Sequence, residues 1–70
     1  MENPIIIGCN YHTTWQSDRG MRFVLMEVCG GRARLATRRT GKNFWTNVSD
    51  LIFIKSEHNI NKAKRLTNGY

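Results

Sequence analysis

The sequence predicts a small all-β domain that ends in a short helix, and three observations carry that expectation. Its 70 residues suffice for one core and no more, because a chain this short buries only about 60% of the surface it exposes when unfolded. The apolar residues come in short runs divided by turn formers, with no helical period as far as Ile54. From Lys55 onward the pattern changes, and Ile60, Ala63 and Leu66 recur at helical spacing. The expected organisation is a β-domain over residues 1–55 followed by a short helix or a frayed basic tail over residues 56–70.

Ile5-Ile6-Ile7, opened by Pro4 and ended by Gly8, reads as a first strand. Gly8 to Gly20 reads as a ragged hairpin or a large loop, in which Tyr11, Thr13 and Trp15 alternate on one side and Ser17-Asp18-Arg19-Gly20 makes a turn. Met21 to Val28 is the longest strand, stopped by Gly30-Gly31, a pair that reaches the positive φ of a tight turn at little steric cost. In the next strand Ala33, Leu35 and Thr37 face one way and Arg32, Arg34, Ala36 and Arg38 the other, the pattern of a half-buried strand with a basic outer face. Thr40-Gly41 supplies a turn, Phe44-Trp45-Thr46 a fourth strand, Asn47 to Asp50 a single helical or 3₁₀ turn, and Leu51 to Ile54 a last apolar strand. Ser56 is placed as the N-cap of the helix and Asn68-Gly69 as its stop. A helix that short is marginal alone, so it requires Ile60 and Leu66 to dock on the strands.

From Gly30 to Ile54 the chain offers a hairpin, a glycine-containing turn at Thr40-Gly41, an aromatic strand at Phe44-Trp45, a polar turn at Asn47 to Asp50 and a closing strand. That order resembles the second half of an SH3-like small barrel, as a likeness of architecture without a diagnostic motif. The resemblance implies a five-stranded barrel, in a superfamily whose members bind peptides, methylated lysine, RNA or DNA, so the fold alone chooses no function. Peptide-binding SH3 domains carry an acidic cluster in the long first loop and a tryptophan pair in the third strand. Here the loop has only Asp18, and Arg32 to Arg38 contains no tryptophan. A five-stranded OB barrel is the alternative, for which this strand region is short.

Eleven Lys and Arg against five Asp and Glu give a formal net charge of +6, which favours a polyanionic partner through long-range attraction and counterion release. Arg32, Arg34, Arg38, Arg39 and Lys42 fall in a stretch without an acid. A two-residue loop at Thr40-Gly41 would set Ala36 opposite Trp45, Arg34 opposite Asn47 and Arg38 opposite Asn43, all on the face away from Leu35 and Phe44. An indole among guanidinium groups suits DNA or RNA, the arginines pairing with phosphate and the ring stacking on an unpaired base. Two other placements of Trp45 stay open: in the core through sheet curvature, or beneath Arg34 in a cation–π contact. Lys62, Lys64 and Arg65 form a second basic cluster, read as a complement to the helix C-terminus.

The competing reading is a protein-interaction module that uses Tyr11, Trp15 and Trp45, its charge steering an acidic protein or peptide. It predicts an apolar groove between the first loop and the Gly30-Gly31 hairpin, with the arginines scattered. Tyr11 and Trp15 also fit as aromatics that pack over an open barrel end. Burial of Trp45 between copies is a third reading, so a monomer or a weak homo-oligomer is expected. Catalysis is not expected, because no activated nucleophile adjoins His12 or His58, the acids form no close pair, and Gly30-Gly31 lacks a phosphate-loop pattern. Cys9, His12, Cys29 and His58 match no zinc spacing, so neither metal nor cofactor is expected. The absence of a signal segment and of a run of roughly 20 apolar residues points to a cytoplasmic protein with free thiols and no membrane contact.

Overall fold

Strand alternation is most legible in the hairpin that organises the sheet. The computed structural model describes residues 5–18 and 20–68, so Pro4, Arg19 and Gly69, to which turn and stop roles fell above, lie outside the described residues. Strand β2 (Phe23–Cys29) and strand β3 (Arg32–Thr37) run antiparallel. They are joined at Gly30 (φ 58°) and Gly31 (φ 78°), where the predicted two-residue turn forms. Ala33 and Leu35 of β3 are fully buried while Arg32 is exposed, as the alternation requires. The longest strand starts later than predicted, leaving Met21 and Arg22 in the preceding loop. Its register with β3 shifts between Leu25 and Glu27, which leaves Met26 as a bulge. Leu25 therefore stands opposite Leu35 on the core side and Glu27 opposite Arg34 on the outer side, while Val28 pairs with the buried Ala33 but is itself exposed at the end of the strand.

Strand β4 (Asn43–Asn47) pairs with β3 through Leu35 with Phe44, Arg34 with Trp45 and Ala36 with Asn43. This corrects the two-residue loop expected at Thr40-Gly41. Thr37 N donates to Lys42 O at 2.9 Å and Gly41 N to Thr37 O at 2.9 Å, so the chain turns through Arg38 to Gly41 and Arg38 has no partner in β4. The partner of each β4 residue thereby moves two positions along β3. An even displacement keeps every side chain on its expected face. A 3₁₀ turn at Val48–Asp50 follows, as predicted, and leads into strand β5 (Leu51–Phe53).

The first strand, β1 (Asn10–Thr13), pairs with both β2 and β5. Ile5 to Ile7, expected as that strand, is not one. Gly8, at φ 101°, turns the chain there, Cys9 N bonds back to Ile6 O at 3.2 Å, and Ile5 and Ile7 stay exposed while Ile6 packs on the core. The outcome is one antiparallel five-stranded sheet in the order β4-β3-β2-β1-β5. Its inner face holds Cys9, Tyr11, Phe23, Leu25 and Leu35, with Phe53 set edge-on against Tyr11 at 5.6 Å between ring centres.

Helix α1 (Glu57–Asn68) forms where the periodicity placed it, with Ser56 Oγ accepting from Asn59 N at 3.2 Å as the N-cap. Its expected anchors are not its main ones, for Ile60 and Leu66 remain substantially exposed. Ala63 packs on the core, and the wholly buried Asn59 joins helix to sheet. Asn59 Oδ1 accepts from Asn10 N at 2.9 Å, and its Nδ2 donates to Asn10 O at 3.0 Å and Ile54 O at 2.8 Å. The side-chain amide thus pairs with the β1 main chain just where β5 ends, giving the buried Asn10 N its acceptor and adding to the bond that Asn10 O accepts from Ile54 N at 3.4 Å. No helix among the described residues is long and apolar enough to cross a membrane.

Candidate functional site

Alternate residues of strands β3 and β4 lie on the face opposite the core, and that face brings together Arg32, Arg34 and Trp45 of the expected site. Trp45, 44% exposed, stands opposite Arg34, with Arg32 opposite Asn47 at one end and Asn43 opposite Ala36 at the other. Of the placements left open for Trp45, the exposed one is found. Arg34 is held: its Nε donates to Glu27 Oε1 at 3.1 Å and its Nη1 to Asn43 Oδ1 at 3.3 Å. Arg38, Arg39 and Lys42 are exposed in the turn at the hairpin's end rather than on the strand face. At about 3.3 Å per residue β3 runs roughly 16 Å from Arg32 to Thr37, where the turn bearing Arg38, Arg39 and Lys42 begins. Glu27, from the neighbouring strand, sets one carboxylate against this row, a partner that the sequence concealed because the bulge at Met26 decides which way Glu27 points.

The aromatics of the competing reading separate. Tyr11 is fully buried, its hydroxyl accepting from Ile6 N at 2.8 Å, so it offers nothing to a partner. Burial pushes the Tyr11 phenol above its ordinary range, partly offset by that hydrogen bond, and burial likewise raises the Cys9 thiol against the lowering influence of Lys62. Trp15 is 56% exposed but anchored. Its Nε1 donates to Thr46 Oγ1 at 3.1 Å, Thr46 Oγ1 donates to Asp50 Oδ2 at 3.3 Å, and its ring meets Phe44 edge-on at 5.6 Å. With Thr14 N bonding to Asp50 O at 2.9 Å, these links tie the loop after β1 to β4 and the 3₁₀ turn.

A depression does border that loop, at the end of the sheet away from Gly30-Gly31. Trp15, Met21, Phe23 and Phe44 line it beside Thr37, and a separate depression that shares Met21 and Thr37 with it is lined by Arg22, Arg38 and Arg39. The aromatic depression thus lies at the other end of the sheet from the groove the interaction reading expected, and Arg22, Arg38 and Arg39 gather beside it rather than scattering. Arg22 was missed because Met21-Arg22 reads as strand, and only the turn formers before it hint at a loop. Lys62, Lys64 and Arg65 lie on α1, with Arg65 in its last turn as expected. Among the described residues no group of three or more His, Cys, Asp or Glu could hold a metal ion.

Fold and surface together define a small antiparallel β-domain with a C-terminal helix and an outer face bearing arginine and tryptophan. The chain matches no family model, no curated protein and no solved structure.

Proposed function

We propose that this chain is a non-catalytic SH3-like small barrel that binds DNA or RNA, with Arg32, Arg34, Arg38, Arg39 and Lys42 contacting phosphate and Trp45 stacking on a base. The barrel reading is supported by the strand order, with β1 between β2 and β5 and a 3₁₀ turn between β4 and β5. The observation that carries the functional reading is the exposed Trp45 directly across from Arg34 on a face lacking bulky core residues. Guanidinium groups fork onto phosphate, and an accessible indole offers a stacking face to any base. The net charge of +6 adds long-range attraction.

Titration of labelled single- and double-stranded DNA and RNA tests this. Binding is expected at micromolar concentration or tighter at low salt, and no detectable binding at about 50 mM salt would refute it. Replacing Arg34 and Arg38 by Ser reduces the slope of log affinity against log salt by up to about 0.7 per lost contact on a single strand. Trp45→Ala weakens single-strand binding by about 1–3 kcal/mol and leaves that slope nearly unchanged.

A further inference from the structure

The depression between the β1–β2 loop and the β3–β4 turn is a second surface, on the opposite side of Phe44 from the Trp45 face. Its floor is aromatic and held in place: Phe23 meets Phe44 edge-on at 5.0 Å, and Phe44 in turn meets Trp15. The indole is preset, because Thr46 already accepts its N–H and little rotamer freedom remains to be lost on binding. Arg22, Arg38 and Arg39 line the adjoining depression, which shares Met21 and Thr37 with this one.

Of the neutral polar side chains around this floor, Gln16 and Thr37 are already occupied, which leaves the Ser17 hydroxyl. Gln16 Oε1 accepts from Thr13 N, and its Nε2 donates to Asp18 O at 2.7 Å and Met21 O at 3.1 Å. Thr37 and Thr40 share a hydrogen bond between their hydroxyls at 2.6 Å. A peptide main chain laid here would bury N–H and C=O groups against apolar surface with few partners to satisfy them. A nucleobase stacks through its face and keeps its polar edges in water, while the phosphates flanking it meet the guanidinium rim. Asp18, whose Oδ1 accepts from Gly20 N at 2.9 Å, also lines the aromatic depression, and its carboxylate disfavours phosphate there relative to the arginine-lined depression.

We propose that this groove holds one unpaired base of a single-stranded nucleic acid, stacked on Trp15 with its phosphates at Arg22, Arg38 and Arg39, so that single strands are preferred over duplex. This rests on the nucleic-acid reading above and adds a second contact region to it. The test uses Trp45→Phe, which leaves Trp15 as the sole tryptophan, titrated with oligothymidylate while anisotropy of a label on the oligonucleotide and tryptophan emission are followed together. Quenching of Trp15 that tracks the anisotropy curve is expected, with duplex binding weaker. Trp15→Leu should weaken single-strand binding about ten-fold or more with little change for duplex. Arg22→Ser should lower the salt slope by about 0.7. Asp18→Asn, which keeps the acceptor for Gly20 N, should tighten binding about two- to five-fold, the scale of one surface charge. Normal anisotropy binding without quenching, in a protein whose Arg22→Ser variant is unchanged, overturns the groove alone and leaves the Trp45 face standing. Quenching by an acidic peptide but not by oligothymidylate overturns it in favour of a peptide site. Failure of the folded parent protein to bind any oligonucleotide overturns both readings.

Discussion

Replacing Asn59 by Ala puts the attachment of helix to sheet under direct test. Three hydrogen bonds disappear, one accepted from Asn10 N and two donated to Asn10 O and Ile54 O. At about 1 kcal/mol net for each, and more for a main-chain group left buried without a partner, the loss is roughly 3 kcal/mol. At 0.05–0.15 kcal/mol per residue a chain of this length has a total stability of roughly 4–10 kcal/mol, so a third or more of it is at stake. Urea denaturation followed by circular dichroism and tryptophan emission gives the change in midpoint, and amide exchange reports whether α1 opens before β2 and β3. Ile60→Ala, at a site 38% exposed, is the control and should cost under about 1 kcal/mol, well below the 2–5 kcal/mol of a fully buried isoleucine. Asn59→Asp should be worse than Ala at neutral pH, since a carboxylate would face two carbonyl oxygens, and should recover in part on acidification as the acid regains a proton to donate. If Asn59→Ala costs no more than Ile60→Ala, the amide is not what holds the helix and the reasoning fails.

Gly31→Ala should cost about 1–2 kcal/mol, a purely conformational penalty because an added Cβ meets no atom within 4 Å at φ 78°, and differential scanning calorimetry would read it as a lowered Tm. Glu27→Gln should change stability by less than about 1 kcal/mol, the ion pair with Arg34 being half exposed, yet tighten oligonucleotide binding and steepen its salt dependence in titrations. In alkaline solution Tyr11 and Cys9, both raised by burial, ionise first in the unfolded chain; that state then holds fewer protons than the folded one, so stability is intact below pH 9 and falls above it. Denaturant midpoints measured from pH 7 to 11 would check this, and Tyr11→Phe should flatten the decline at its upper end.

The hairpin β2–β3 was legible because alternation and glycine chemistry are local: Ala33 and Leu35 against Arg32, with Gly30-Gly31 supplying positive φ. The 3₁₀ turn and the helix were legible for the same reason. What sequence reasoning missed depends on pairing at a distance. Ile5 to Ile7 has the composition of a strand, but Gly8 turns the chain and Asn10 to Thr13, far more polar, takes the place between β2 and β5. Asn59 reads as an ordinary exposed helix residue until Asn10 and Ile54 are seen beside it. At the candidate site, the shared outer face of Trp45 and Arg34 was legible through parity, whereas their direct pairing, the loop length, the Glu27 pairing and the convergence of Arg22 with Arg38 and Arg39 were not.

Met26, the bulge in β2, has a consequence for how this chain can vary in length. Leu25 pairs with Leu35 before it and Glu27 with Arg34 after it, so the two flanks are already in phase with one another across β3. Excising Met26 would bring Glu27 next to Leu25, close the ladder, and leave Glu27, Val28 and Cys29 opposite Arg34, Ala33 and Arg32 as they now stand. Removing a residue from the regular ladder of β3, Leu35 for instance, would instead turn the rest of the strand over and send arginine toward the interior. The sheet thus contains a position where an insertion or deletion is absorbed without inversion, and related chains could differ there by one residue while presenting the same charged and apolar sides.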